Sequence, residues 1–436
     1  MYSRKYSRLV IPLCLFLIAL AVEFIYINSY SVKFFISPDG LTYSNIAENF
    51  LHGKGLINTA NFAEGADHIV EELPLTREYV VGPIYPLLLA LVYGMFGFKN
   101  YEMVVVFQAL LSAGSAVIAY KTGELLLGKK YAWIPFGLTL GYPLFASWGM
   151  YVLTETTYVF TILLFLYFLA LYSKQVKRSQ LRTIVLLGAA IGVSNLVRPL
   201  LLLFFPVLGI WIFWLKSWHL KTALRDFSLI VIVTILVMSP WWIRNGIKYH
   251  HFIPVSNYGS CEFYLGNNPL TITDKYFTFD QSSFDPEVKA SIDKQPVLEQ
   301  EKEYKQLAVT YIVKHPVQFL GRTLAKEINL FWRPVALPEA QGYKMIGYQL
   351  DKWYLCLGLA GALLSIFYLK KYSFLLLFTL YYSFVVSMIT VVSGARYRLP
   401  VMPAIIFFIS IAAVIVLRGI SKLGSLLGKK MTFRRL

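Results

Sequence analysis

Two acidic residues stand beside long apolar segments and are candidates for chemistry. Asp39 lies in Ser-Pro-Asp-Gly, directly after the first apolar segment, where proline and glycine indicate a turn. Glu155 begins an otherwise apolar segment in Thr-Glu-Thr-Thr. A carboxylate in such a place can act as a general base or bind a cation. An ionisable group in apolar surroundings costs free energy, so its presence there indicates a function. The structural alternatives are a helix cap or solvated turn for Asp39 and a partner of the helix dipole for Glu155.

Four arginines form the second group of candidates. Arg198 lies in Val-Arg-Pro, Arg244 in Ile-Arg-Asn, and Arg396 and Arg398 in Ala-Arg-Tyr-Arg-Leu-Pro. The guanidinium group binds phosphate through two N–H groups at once, so several arginines on one face indicate an anionic ligand. The alternative for each arginine alone is that it extends toward lipid headgroups.

The composition is that of an integral membrane protein. Of the 436 residues, 57% are hydrophobic and 15% are charged, whereas a soluble domain has about 45–50% and about 25%. The net charge of +17 comes from short basic clusters between apolar runs, as cytoplasmic loops of membrane proteins require. We therefore expect membrane lipids as neighbours and no binding of nucleic acid. The 3 cysteines show no spacing typical of a disulfide or metal site.

The basic clusters also predict the orientation. Basic residues precede the first apolar segment, which lacks a signal-peptidase site and is interpreted as a retained helix. The segment 83–98 is ambiguous, but if it lies along the membrane or dips into it, every later basic cluster is cytoplasmic. We thus expect about ten transmembrane helices with both termini cytoplasmic. They lie near 9–30, 101–127, 131–147, 155–172, 183–197, 200–215, 226–243, 353–369, 373–392 and 400–417.

The predicted fold is an all-α polytopic membrane protein with juxtamembrane helices in the first outer loop. Its parts are an N-terminal transmembrane module 1–243 that includes the outer loop 31–100, an outer segment 244–352, and a C-terminal transmembrane module 353–436. Within the outer segment, 286–313 has helical spacing and 315–332 is predicted as an amphipathic helix near the membrane surface. This orientation places both carboxylates and all four arginines on the outer side.

At these residues the sequence resembles the C-type glycosyltransferases, in the group of bacterial protein O-mannosyltransferases and the aminoarabinose transferase of lipid A. The matching pieces run in family order over almost the whole chain. They are Pro38-Asp39-Gly40 with Tyr43 and Ala47, Gly82 to Pro86 running on to Phe96-Gly97, Thr154-Glu155, Arg198-Pro199, Pro240 to Asn245, Gly266 to Pro269, and Arg396 to Pro400. Two positions depart from the pattern. Many relatives have an acidic residue where this chain has Gly40, and the aminoarabinose transferases have lysine where it has Gly82, which argues against that activity.

The resemblance implies an inverting glycosyltransferase that uses a polyprenyl-phosphate-linked sugar at the outer face of the inner (plasma) membrane. Asp39 would activate an acceptor hydroxyl as the base, Glu155 would be the second catalytic acid, and the arginines would bind the lipid phosphate. Tyr43, Asn245 and Asn267 lie in the matching pieces and are expected to bind substrate. The sugar, the acceptor (lipid, glycan or protein) and a divalent cation as cofactor stay open.

The rival function is a transporter or flippase for an anionic lipid or lipid-linked sugar. A transporter would place ionisable residues near the bilayer midplane and would show two similar halves. The sequence shows little of either, because its polar candidates gather on one side.

Overall fold

The computed structural model describes residues 2–30, 32–61, 71–72, 80–176, 180–257, 259–271, 285–292, 294–332, 343–390 and 395–433. Its α-helices are α1 (Tyr2–Asn28), α2 (Pro38–Leu51), α3 (Ile84–Phe96), α4 (Tyr101–Leu126), α5 (Trp133–Leu140), α6 (Pro143–Gly149), α7 (Glu155–Lys174), α8 (Leu181–Val197), α9 (Phe205–Leu215), α10 (Leu220–Tyr249), α11 (Gly259–Gly266), α12 (Pro286–Ile292), α13 (Val297–Lys314), α14 (Pro316–Trp332), α15 (Tyr343–Ser365), α16 (Leu369–Ile389), α17 (Ala395–Arg398) and α18 (Met402–Phe433). Short 3-10 helices lie at Lys129–Tyr131, Pro199–Phe204, Ile366–Tyr368 and Leu399–Val401. Ala60–Asn61 and Glu71–Glu72 form a short antiparallel pair, with Ala60 opposite Glu72.

The predicted class, an all-α multi-pass membrane protein, is confirmed. In the described part of the chain, 6 helical segments are long and apolar enough to cross a membrane, and one of them, Gln349–Ile389, contains most of α15 and all of α16. Leu181–Val197 and Pro199–Leu215 are apolar but shorter. The number of ten spans therefore stays a prediction.

One predicted span is not continuous. The segment 131–147 was expected as a single helix, but it contains α5 and α6, which are separated at Gly141 and Tyr142. Tyr142 is extended (φ −82°, ψ 109°), because the ring of the following Pro143 disfavours helical backbone in the residue before it. After this break, α6 ends at Gly149, directly before the short loop that leads to Glu155.

The core of the bundle is formed by α7, α8, α9, α16 and α18. Leu163, Leu187, Phe378 and Phe408 are examples of its side chains with no solvent exposure. Large apolar side chains also cover the outside of the bundle, as on α1, where Ile25 is exposed. Apolar residues all around a helix are typical of a span that contacts protein on one side and lipid on the other.

Shorter helices pack in pairs or against the long helices. α2 packs against α3, α11 against α13, and α14 against α16. α3 has 13 residues, which at about 1.5 Å each makes about 20 Å, too short to cross a hydrocarbon core of about 30 Å. The predicted helix 286–313 is two helices, α12 and α13. α14 agrees with the predicted amphipathic helix, since it exposes Val317, Leu324 and Ile328 and buries Thr323 and Leu330.

Candidate active site

Glu155 is the centre of an ion-pair cluster at one end of the bundle. It occupies the first turn of α7, its side chain is 1% exposed, and its Oε1 accepts a hydrogen bond from Arg198 Nη2 at 2.6 Å. The same oxygen accepts a bond from Arg396 Nε. A helix N-terminus also favours a carboxylate. Two guanidinium groups on one oxygen compensate the negative charge of Glu155 much more than the helix dipole alone. One of the predicted acidic residues and two of the four predicted arginines therefore meet here.

Arg396 connects this buried cluster to Asp39. Its Nη2 lies 3.0 Å from Asp39 Oδ2, and the Asp39 side chain is 53% exposed. The two residues are 357 positions apart in the chain. One arginine thus joins the first outer loop, the start of α7 and the C-terminal helices.

Both arginines of the cluster keep a free donor group. Arg198 Nε donates to Thr154 Oγ1 at 2.7 Å and its Nη2 donates to Glu155. Arg396 uses Nε for Glu155 and Nη2 for Asp39. Among the described residues, neither Nη1 group has a partner. Two unused N–H-bearing nitrogens beside an exposed carboxylate are suited to bind an anion.

The fold holds Asp39 in place through a short bridge between two loops. Phe35 N donates to Met150 O at 2.9 Å, and Val152 N donates to Phe35 O at 2.9 Å. Ser37 then caps α2 by accepting from Gly40 N at 3.3 Å, as serine commonly does at this position. Asp39 follows in the first turn of α2 and therefore lies beside the loop that carries Glu155.

The two departures from the family pattern both lie at close backbone contacts. A Cβ atom on Gly40 would approach Val152 O to 2.6 Å. A Cβ atom on Gly82 would approach Val197 O to 2.8 Å and Leu196 O even more closely. Any larger side chain would force these backbones apart. The absence of an acidic residue at 40 and of a lysine at 82 is therefore required by the packing of this chain.

Tyr43 lies close to the cluster, and its role in substrate binding stays a prediction. Its ring meets Tyr85 edge to face, with centroids 5.3 Å apart. Burial, followed by the charge of Asp39, raises the pKa of Tyr43 to about 12. Tyr43 thus remains a neutral hydroxyl group next to the candidate base.

Glu262 is a third carboxylate at the site, which the sequence did not indicate. It lies on α11, and burial, followed by the charge of Asp39, raises its pKa. Tyr397, the residue between the two C-terminal arginines, lies near it, since burial and then the charge of Glu262 raise the pKa of Tyr397. The only sequence signal is that Glu262 lies shortly before the matching piece Gly266 to Pro269, and a glutamate at that distance is not diagnostic.

Arg244 and Asn245 make contacts with another part of the chain. Arg244 stacks on Trp241 and Tyr249, with its Cζ 4.9 and 5.2 Å from the ring centroids, and its Nη2 donates to Leu56 O. Arg244 Nη1 donates to Asn245 Oδ1 at 2.8 Å. Neither residue contacts Asp39 or Glu155 in the described structure. Their role in substrate binding stays a prediction.

Arg398 and Asn267 are buried and have partners inside the protein. Arg398 is 0% exposed, forms an ion pair with Asp351, and donates to Leu330 O at 2.7 Å. Asn267 donates to Phe263 O at 2.9 Å and to Met388 O at 3.0 Å, which joins α11 to α16. These contacts connect the helices at this end of the bundle. That either residue also binds substrate stays a prediction.

The residues that the structure describes do not fit a metal centre. Within the described ranges, no three His, Cys, Asp or Glu side chains are placed to hold a metal ion. Asp39 and Glu155 are both bonded to the guanidinium group of Arg396, so an organic cation occupies the position between them. A divalent cation as cofactor is not established.

Comparison with known proteins gives a sequence match and a fold match. Residues 80–243 match the family model described as dolichyl-phosphate-mannose-protein mannosyltransferase. This segment contains Glu155 and Arg198, whereas Asp39 and Arg396 lie outside it. The chain resembles the C-type glycosyltransferases. A search of curated proteins found no match.

The solved structures that this chain resembles share its fold at low sequence identity. The archaeal oligosaccharyltransferase AglB from Archaeoglobus fulgidus, in complex with an inhibitory peptide and a dolichol-phosphate, has a TM-score of 0.53 and 13% identity over 98% of this chain and 52% of its own length. An oligosaccharyltransferase from Archaeoglobus fulgidus in complex with Zn and sulfate has a TM-score of 0.50 and 13% identity, covering 96% of this chain and 50% of its own. ArnT from Cupriavidus metallidurans, bound to undecaprenyl phosphate, has a TM-score of 0.44 and 12% identity over 92% of this chain and 76% of its own. The chain thus spans about half the length of the oligosaccharyltransferase.

Proposed function

We propose that this protein is an inverting glycosyltransferase that moves a sugar from a polyprenyl-phosphate-linked donor to an acceptor hydroxyl at the outer face of the membrane. The observation that carries the proposal is the position of Arg396, which joins a half-exposed Asp39 to a buried Glu155. The description of the matching family model supports it. Dolichol-phosphate in the similar oligosaccharyltransferase structure supports a lipid phosphate as part of the donor.

In this proposal Asp39 is the general base. Its Oδ2 is bonded to Arg396, whereas no described residue bonds its Oδ1. Oδ1 accepts the proton of the acceptor hydroxyl as the acceptor oxygen forms a bond to the anomeric carbon of the donor. The bond from the anomeric carbon to the phosphate oxygen breaks on the opposite side of the ring. The electron pair leaves with the lipid phosphate, and the configuration at the anomeric carbon is inverted.

The two arginines stabilise the leaving phosphate. Their free Nη1 groups donate to its oxygens as charge develops, which is the main electrostatic contribution expected of such a site. Glu155 does not need to touch the substrate. It holds Arg198 and Arg396 at a fixed separation because both bond its Oε1. We assign Glu155 as a positioning residue.

The position of the cluster suits a donor embedded in lipid. Asp39 lies in the first turn of α2, a short helix that packs on α3 beside the spanning helices. We propose that this end faces outward, with both termini cytoplasmic and the chain in the inner (plasma) membrane, because the basic clusters then lie inside. The acceptor is a lipid, a glycan or a protein that reaches the exposed side of Asp39.

The test is transfer of radiolabelled sugar from synthetic polyprenyl-phosphate donors by the purified protein. Asp39→Asn keeps the shape of the side chain but removes the base, so transfer falls by about 10²- to 10⁴-fold. Glu102→Gln, which changes an exposed first-turn acid of α4, is the matched control and retains full activity. Full transfer by Asp39→Asn would contradict the base assignment. Movement of intact labelled lipid across vesicles without transfer would favour a flippase.

A further inference from the structure

A small cavity lies behind Glu155, between α4, α6 and α7. Its wall includes Ser112 and Ser115 of α4, Trp148 of α6, and Glu155. It has room for about one water molecule, which needs on the order of 10–15 Å³. Glu155 Oε2 is buried and has no hydrogen-bond partner among the described residues. A buried carboxylate oxygen without a donor is costly, and a water in this cavity would supply one.

A second buried carboxyl group contacts the same wall from α1. Glu23 is 6% exposed, and its Oε1 lies 2.5 Å from Ser112 Oγ. This separation lies at the short end of the range for O–H···O hydrogen bonds, in which either oxygen can be the donor when the carboxyl group is protonated. Ser112 therefore stands between Glu23 and the cavity that borders Glu155.

Glu23 has no cation beside it in the described structure. α1 packs against α4 and α6, and α6 contains no charged residue. On α4, Glu102 is exposed at the outer end, and Lys121 pairs with Glu124 at 2.8 Å. The titratable neighbour on α1 is Tyr26, whose hydroxyl bonds Tyr30 and Ser147.

A charged carboxylate buried between apolar helices without a cation is strongly disfavoured. The neutral acid is therefore the stable form of Glu23. As a neutral acid it has an O–H group to donate, which a carboxylate lacks.

We propose that neutral Glu23, Ser112 and one water form a hydrogen-bond relay that ends on the free oxygen of Glu155. The Glu23 O–H group donates to Ser112 Oγ, the Ser112 hydroxyl donates to the water, and the water donates to Glu155 Oε2. Each of these three hydrogen bonds then joins one donor to one acceptor, and no covalent bond is broken. Ser112 and Glu23 are thus positioning residues that keep Oε1 of Glu155 turned toward the two arginines.

The protonation of Glu23 can be measured without any activity assay. Infrared spectra of the purified protein in lipid nanodiscs report the carbonyl stretch of protonated carboxyl groups, which shifts in D₂O. Glu23→Gln keeps the shape of the side chain and is expected to remove one such band. Ser112→Ala is expected to move that band to higher frequency, because the hydrogen bond is lost. Ser115→Ala is the matched control, since Ser115 lines the same cavity but donates to Leu111 O at 2.9 Å, and it leaves the band unchanged.

The effect on Glu155 is measured by transfer kinetics, and this part rests on the proposed function. Ser112→Ala is expected to lower kcat about tenfold, with the donor KM nearly unchanged and with wild-type elution in size exclusion. Ser115→Ala keeps the wild-type kcat. The relay is overturned if the spectrum of Glu23→Gln retains every protonated-carboxyl band. It is also overturned if Ser112→Ala does not shift the Glu23 band. If Ser112→Ala moves the band but leaves kcat unchanged, the connection to Glu155 is overturned. A wild-type protein without transferase activity overturns the proposed function instead, and the infrared result still decides the state of Glu23.

Discussion

Replacement of Glu155 by glutamine should destabilise the protein far more than replacement of Asp39 by asparagine. Both changes remove a carboxylate from Arg396, but Glu155 is 1% exposed whereas Asp39 is 53% exposed. Removal of one partner from a buried ion pair costs about 3–5 kcal/mol. Arg198 and Arg396 are 16% and 26% exposed, so water partly compensates them and the lower end, about 3 kcal/mol, is expected. The half-exposed pair with Asp39 is worth at most about 1 kcal/mol.

The assay is equilibrium unfolding in mixed micelles. Glu155→Gln should lower the free energy of unfolding by about 3 kcal/mol, which is more than a hundredfold in the equilibrium constant. Glu124→Gln is the matched control, since it opens a partly exposed pair with Lys121 and should cost less than about 1 kcal/mol. A loss below about 1 kcal/mol for Glu155→Gln, or equal losses for the Asp39 and Glu155 variants, would refute the assignment of Glu155 as the buried centre of the cluster.

Two further predictions concern packing and a buried cation. Gly40→Ala should destabilise the protein by about 1–3 kcal/mol because the new Cβ meets Val152 O at 2.6 Å. The control Gly246→Ala lies in the interior of α10 with no atom near the new Cβ, so it should be neutral or stabilising by up to about 1 kcal/mol. Denaturant titration of both variants measures these changes, and equal changes in the free energy of unfolding would contradict the close approach at Gly40. Lys326 of α14 is fully buried, donates to Gly266 O at 2.9 Å, and has its pKa lowered from 10.5 to about 7 by burial and then by Arg322. Because the folded state loses this proton at lower pH than the unfolded state, the free energy of unfolding should rise as pH increases from about 7 to about 10.5. Lys326→Met should lack this rise over the same range, and identical pH profiles for wild type and variant would contradict the buried, depressed state of Lys326.

The sequence predicted the helical class and most helix positions because the apolar segments are long and the bounding residues are polar. It was wrong where one segment contains a local break, as at Pro143, since composition alone still favours a continuous span across 131–147. It also missed Glu262, which reaches the site only because α11 packs against α16. Hydrophobic periodicity determines which residues form a helix, but the lateral arrangement of short outer helices depends on tertiary contacts.

The four candidate arginines show what residue type can and cannot predict. Their predicted placement on the outer side indicated an anionic ligand, and the structure gives each of them a partner within the protein. Arg198 and Arg396 meet on Glu155, Arg244 stacks on aromatic rings, and Arg398 is buried against Asp351. All four have the same side chain in the sequence. Only the partners seen in the structure distinguish a stacked or fully buried arginine from one that keeps a free N–H group beside an exposed carboxylate. The anion-binding role that we propose for Arg198 and Arg396 therefore rests on their unused Nη1 groups, which no property of the linear sequence reveals.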